Sequence, residues 1–242
     1  KAIHSSLHDA LPIYGEMAVR TDASSRFGKD HRWGMFWSLG LMWNIKNEPF
    51  LKDIEWLTGA QIALSTGTSG NSEIPYYDHL ALVSGGPKYN DEAGIYPKQS
   101  GNEELSWEQT WSNNIGLRLG FFNRVNLDID FYHKKTTDML MSVPESYAIT
   151  GEGYRWDNIG AMVNRGVEVS VNSDIIRTKD FTWNLNANVS YNKNKLVELY
   201  NGVQEYVNST TGLKFVVGHP VHEYFLNRYA GVNPANGDAL WY

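Results

Sequence analysis

Two segments of this chain alternate, residue by residue, between apolar and polar side chains. Their apolar positions are Val125, Leu127, Ile129 and Phe131, and Trp183, Leu185, Ala187, Val189 and Tyr191. The polar positions between them are Asn126, Asp128, Asp130 and Tyr132, and Asn184, Asn186, Asn188, Ser190 and Asn192. Successive side chains of a β-strand point to opposite faces, so each segment is predicted to be a strand with one apolar and one wet face. A strand that spans a bilayer is about as long, roughly 9–11 residues, which favours a wall between lipid and water.

The same pattern predicts seven strands along the chain. They cover residues 14–22, 33–45, 54–66, 107–121, 125–138, 161–175 and 181–194. Short connections at 122–124 and 177–180 alternate with long polar ones at 67–106 and 139–158. Outer-membrane barrels combine short periplasmic turns with longer extracellular loops in this way. The predicted fold class is therefore all-β: an antiparallel up-and-down meander that forms an open curved sheet, with loosely packed or disordered long loops.

A soluble β-sandwich would also give each strand one apolar and one polar face. The predicted strands are longer than the common soluble length of about 5–6 residues. Tryptophans lie towards the strand ends, as in the aromatic girdles of membrane barrels: Trp33, Trp37, Trp43, Trp107, Trp111 and Trp183. The barrel is favoured, and a soluble or surface-anchored glycan-binding sandwich is the alternative.

Composition and charge narrow the possible partners and chemistry. The 242 residues carry a net charge of −6 and no cysteine. Nucleic acid is therefore not an expected partner, and a disulfide framework or thiolate metal site is excluded. His219 and His222 are separated by Pro220, which prevents a helix from presenting both on one face. We predict no catalytic, cofactor-binding or metal-binding residue.

Aromatic side chains in the long connections are the candidate ligand-binding residues. Sugars stack on aromatic faces, and aromatics serve interfaces equally well. Seven such residues fall in these connections: Tyr76, Tyr77, Tyr89, Tyr96, Tyr147, Tyr154 and Trp156. Some of them are predicted to line a substrate path; the alternative is that they pack the loops together or against a partner.

An ordered set of motifs resembles SusC/RagA-type TonB-dependent outer-membrane transporters. The motifs are DASSRFG (22–28), RWG (32–34), WNI (43–45), LSWEQT (105–110), NIGL (114–117), DFY (130–132), KKTTD (134–138), NIG (158–160), NRGVE (164–168) and YAGVNP (229–234). The resemblance implies a 22-stranded barrel filled by an N-terminal plug. It also implies TonB-powered import of oligosaccharides or peptides across a Gram-negative outer membrane, beneath a SusD-like lipoprotein. A passive porin or adhesin would fit the alternation but not these motifs.

The chain is predicted to consist of two segments. Residues 1–13 include SLHDALPI (6–13), which resembles the translation of a sequencing adapter, so this leader is predicted to be non-native. Residues 14–242 are predicted to be a partial TonB-dependent receptor barrel, because no plug or TonB-contacting segment is found in them. Alone, this segment would leave open sheet edges that lipid does not tolerate, so we expect it to aggregate.

Overall fold

The computed structural model of the protein describes residues 12–147, 153–207, 213–221 and 227–242. One short α-helix, α1, spans Pro49–Lys52. The strands are β1 (Ile13–Ala23), β2 (Trp33–Asn44), β3 (Leu57–Asn71), β4 (Leu82–Tyr89), β5 (Glu92–Gln99), β6 (Glu108–Phe121), β7 (Val125–Thr137), β8 (Leu140–Pro144), β9 (Tyr154–Asn158), β10 (Ala161–Arg177), β11 (Thr182–Glu198), β12 (Glu205–Val207), β13 (Lys214–Val216), β14 (Tyr229–Val232) and β15 (Ala239–Trp241).

Seven of these strands form one antiparallel sheet in the order β1-β2-β3-β6-β7-β10-β11. Each long strand pairs with the next long strand along the chain, which confirms the predicted up-and-down meander. The seven long strands correspond to the seven predicted ones. Within the described ranges no second sheet covers the apolar face, and Val189 on that face is 71% exposed. The sandwich alternative is therefore wrong.

The register aligns apolar side chains into continuous rows across the sheet. One row contains Ile115, Phe131, Val167 and Tyr191, and the next contains Leu117, Ile129, Val169 and Val189. Polar side chains occupy the alternate rows on the opposite face. A slip of one residue would move every apolar side chain to the polar face, so the sequence pattern fixes this register.

The turn between β6 and β7 and the connection between β2 and β3 are both well bonded. In the turn between β6 and β7, Phe122 and Asn123 have φ angles of 54° and 53°, the left-handed values that two-residue hairpin turns need. The Arg124 amide donates to the Phe121 carbonyl at 2.9 Å. Between β2 and β3, the Lys46 ammonium donates to the carbonyls of Leu51, Lys52 and Ile54 at 2.8–3.0 Å.

The long connections are more ordered than the sequence predicted. β3 continues to Asn71, and β4 pairs with β5 inside the connection predicted at 67–106. β8 pairs with β9 inside the one predicted at 139–158. Phe27, Ile74 and Leu105 form a buried cluster there, and Trp107, Leu140 and Trp156 pack against it. For the residues of these connections that the structure describes, the expectation of loosely packed loops is wrong, because apolar residues far apart in sequence converge at this end of the sheet.

The predicted leader lies mostly outside the described residues. β1 begins at Ile13, which pairs with Trp43, and the Pro12 carbonyl accepts the Asn44 amide at 2.6 Å. The non-native origin of residues 1–13 stays a prediction.

Candidate functional site

The polar face of the sheet holds a cavity. Its lining is contributed by β6, β7, β10 and β11: Asn114, Asp130, Tyr132, Lys134, Asn164, Glu168 and Asn192. The register places Asn114, Tyr132, Gly166 and Asn192 in one row across these four strands. The sequence predicted that Asp130 and Tyr132 share a wet face, and the structure confirms it.

Tyr132 lines this cavity and reaches across the polar face. Its hydroxyl donates to Asn192 Oδ1, two strands away, at 3.0 Å. To reach that far the phenol ring crosses Gly166, where a Cβ would lie 2.6 Å from the tyrosine oxygen and 2.7 Å from Cζ. Gly166 therefore makes room for the ring, which explains the glycine in the NRGVE motif.

Charged groups line the same cavity as the ring. Lys134 Nζ lies 5.3 Å from the centre of the Tyr132 ring, within cation–π range. Asp130 faces Glu168 directly across β7 and β10, and neither carboxylate has a salt bridge among the described residues. Gly116 leaves room for the Asp130 carboxylate, since a Cβ at position 116 would lie 2.7 Å from Asp130 Oδ1.

The arrangement suits hydrogen bonding to a polar solute. Three asparagine amides, one phenol, one ammonium and two carboxylates offer donors and acceptors of both charges around one cavity. These groups are held on strands rather than on loops, so their positions are fixed by the sheet.

Polar clamps fasten the long connections over the end of the sheet. The Asn158 side chain accepts the Ser106 amide at 2.7 Å and donates back to the Ser106 carbonyl at 2.9 Å and to the Asp138 carbonyl at 3.0 Å. Asn102 Nδ2 donates to the Trp156 carbonyl at 3.1 Å, and Ser100 Oγ contacts Glu145 Oε2 at 2.8 Å. The two long connections thus form one packed layer, which we call the loop cap.

The aromatic residues predicted from the sequence lie in the loop cap, where their exposure and contacts differ. Tyr76 is 69% exposed and stacks under the Arg26 guanidinium, 4.7 Å from its ring centre. Tyr77 and Tyr147 are also exposed, and Tyr96 and Tyr154 lie on β5 and β9. Trp156 instead packs against the buried cluster. Tyr89 lies on β4.

The remaining sequence candidates lie elsewhere. The His219 carbonyl accepts the Leu196 amide at 2.8 Å, and His222 is outside the described residues. No group of three or more His, Asp or Glu in the described ranges could hold a metal ion. No helix in those ranges is long and apolar enough to cross a bilayer.

Sequence reasoning missed part of the cavity lining. Asn114, Lys134, Asn164, Glu168 and Asn192 lie at the polar positions of the alternating pattern. Their alternation was visible, but their convergence depends on the register between strands.

Comparison with known proteins shows where this sheet recurs. Residues 12–241 match the family described as TonB dependent receptor-like, beta-barrel. The chain is 39% identical over 183 residues to TonB-dependent receptor P39 of Formosa agariphila, covering 75% of this chain and 18% of that protein. It is 40% identical over 197 residues to TonB-dependent receptor SusC of Bacteroides thetaiotaomicron, covering 76% of this chain and 19% of SusC.

The solved structure of the RagAB peptide importer in its closed-closed state contains a similar fold. It superposes with a TM-score of 0.86 at 37% identity, covering 95% of this chain and 25% of the compared chain. The curated relatives are much longer than this chain, which spans about a fifth of their length.

Proposed function

This chain belongs to the TonB-dependent receptor-like β-barrel family, with SusC/RagA-type relatives, and we propose that the full-length protein imports nutrients across a Gram-negative outer membrane. The cargo class is oligosaccharide or peptide. The process is binding and energy-coupled passage, with no bond made or broken. The residues described above contribute wall, turns and loop cap.

The observation that carries this proposal is the division of one sheet into two unlike faces. One face presents apolar rows that are exposed in this chain, such as Phe131 at 52% and Val189 at 71%. The other face carries the cavity around Tyr132. In a closed barrel the first face meets lipid and the second lines the lumen.

The proposal includes partners that lie outside this chain. A plug in the lumen would connect to TonB, and a SusD-like lipoprotein would cover the mouth at the loop cap. RagAB, whose structure contains the similar sheet, is a peptide importer, which supports peptide as one of the two cargo classes.

Passage through the lumen can be tested by blocking it. The chain has no cysteine, so Asn192→Cys and Val189→Cys in the full-length protein can each be modified with a bulky maleimide. We expect modification at position 192, on the polar face, to lower uptake of labelled oligosaccharides or peptides. The matched modification at 189, on the apolar face, should leave uptake unchanged. Equal effects at both positions would contradict the lumen assignment.

The aromatic residues of the loop cap are proposed to contact the cargo. The exposed rings of Tyr76, Tyr77 and Tyr147 are the best placed to stack on a ligand, whereas Trp156 is partly buried against the cluster. Alanine at each of the seven positions in the full-length protein should weaken cargo binding at some of the exposed ones. Unchanged affinity at every position would end this proposal.

A further inference from the structure

A group of basic side chains lies on the apolar face of the sheet, where the apolar rows end near the loop cap. It consists of His133, Lys135, Arg165, Lys193 and Lys195, and we call it the outward basic cluster. The register places His133, Arg165 and Lys193 side by side on β7, β10 and β11. Lys135 and Lys195 flank Val163 in the next row towards the loop cap.

The cluster borders the apolar rows directly. The row below it contains Phe131, Val167 and Tyr191, on the same face of the same three strands. Arg165, Lys193 and Lys195 line one shallow cavity together with the apolar side chains of Val163 and Val197. Cationic groups and apolar side chains therefore lie beside each other in one groove.

Neither the four Lys and Arg cations of the cluster nor the His133 ring has a protein partner in the residues that the structure describes. None of the five side chains forms a salt bridge or a hydrogen bond there, and all five are exposed. The neighbouring outward positions on β6 are Trp111 and Asn113, so on that side no carboxylate of the described residues interleaves with the cluster. This is notable in a chain whose net charge is −6.

The clustering costs folding energy unless an anion is bound. Like charges directly opposite each other on paired strands are destabilising, and Arg165 faces Lys193 in that way. Charged residues on a lipid face are tolerated near the interface, where the cost falls to roughly 0–1 kcal/mol. An anion at the interface would turn the repulsion into attraction.

We propose that the outward basic cluster binds the phosphate groups of an anionic outer-leaflet lipid whose acyl chains lie along the apolar rows. The proposal rests on the membrane placement in the proposed function. Arg165 supplies a planar fork suited to a phosphate, and the lysines supply point charges. The hydrocarbon of the lipid would cover Val167 and Val169, and its head group would reach the cations.

The test uses the full-length protein, purified in a mild detergent and titrated with lipid in native mass spectrometry. The probes are a bisphosphorylated acylated glucosamine disaccharide (lipid A), the same lipid without phosphates, and inorganic phosphate alone. We expect tight binding of the phosphorylated lipid only. The double variant Arg165→Gln/Lys193→Gln should bind it more weakly, by about fivefold for each cation removed.

Two further variants make the result specific. Lys135→Gln/Lys195→Gln removes the other pair of cluster cations and should weaken binding in the same direction. Lys88→Gln/Lys98→Gln removes two exposed charges from β4 and β5, which form a separate sheet from the strands of the cluster, and should bind as the unmodified protein does. Equal binding by the cluster variants and this control would overturn the proposal.

The lipid arms separate failure of this inference from failure of the proposed function. If both lipids bind equally well, the protein holds lipid but the phosphate site is wrong. If inorganic phosphate competes fully at equal concentration, the site takes a free anion and the lipid assignment is wrong. If neither lipid binds, the lipid site is wrong, whereas the proposed function is tested by the maleimide block of uptake at positions 192 and 189.

Discussion

Some positions in this sheet hold glycine because a neighbouring side chain occupies the space that a Cβ would need. Gly166 is the clearest case, because the Tyr132 ring occupies the volume that any side chain would need. The ring in turn carries a hydrogen bond to Asn192 on the far side of β10. Large aromatic side chains packed over strand glycines compensate for the side chain that glycine lacks, so this pair stabilises three adjacent strands.

We predict that Gly166→Ala destabilises the full-length barrel by about 1–3 kcal/mol, because the new methyl group would overlap the Tyr132 ring and the Tyr191 carbonyl. Urea unfolding in detergent would measure the change. The control is Gly40→Ala, where no atom lies within 4 Å of the added Cβ, and its effect should stay within about 0.5 kcal/mol. Equal losses for the two variants would contradict the packing explanation.

The Asn158 side chain holds the two long connections together through three hydrogen bonds. Asn158→Asp keeps an acceptor for the Ser106 amide but loses both donated bonds and turns a carboxylate towards two carbonyls. We expect a cost of about 1–3 kcal/mol, seen as faster hydrogen exchange of the β8 and β9 amides. Asn188→Asp on exposed β11 introduces the same charge without breaking a clamp. If it accelerates exchange in β8 and β9 equally, the clamp has no special role.

At the scale of elements, alternation was a reliable guide where both faces of a strand have fixed surroundings. β7 and β11 could be predicted within a few residues because each apolar side chain lies between two polar ones. β4 could not, since its sequence LVSGGPKY contains two glycines and a proline and has no alternation. Its pairing with β5 depends on the turn between them and on contacts within the loop cap.

The loop cap was missed for a related reason. Phe27, Ile74 and Leu105 are single apolar residues in polar segments, so no window of sequence marks them as a core. Their burial depends on chain segments that meet only after the sheet has formed. Trp107 joins them, with its ring 5.6 Å from that of Phe27 and 5.4 Å from that of Phe36. The candidate cavity was likewise predictable as a wet face but not as a set of converging residues.

We predict that Phe27→Ala loosens the loop cap without unfolding the sheet. Phe27 is fully buried, and removing a buried phenylalanine costs about 3–5 kcal/mol. Limited proteolysis of the full-length protein should show faster cleavage within the long connections. Phe50→Ala, on exposed α1, removes the same atoms from the surface and should leave cleavage unchanged. A Phe27→Ala protein as resistant as this control would contradict the role of the cluster.

In the whole molecule, the unpaired edges and uncovered apolar rows indicate that this sheet is part of a larger β-barrel. Within the described residues, both edge strands, β1 and β11, lack a neighbouring strand over most of their outer sides. The apolar rows are uncovered, and the chain spans about a fifth of its curated relatives. In a closed barrel these edges would be paired and the rows would meet lipid.

The sheet separates lipid from lumen only if its two faces meet different surroundings, and a nitroxide scan of residues 183–192 in the full-length protein in lipid vesicles measures this. Accessibility to oxygen, which concentrates in lipid, should peak at the apolar positions 183, 185, 187, 189 and 191. Accessibility to a water-soluble paramagnetic reagent should peak at the polar positions between them, with a period of two residues. Oxygen and reagent accessibilities that rise and fall together along the strand would contradict a wall between lipid and lumen.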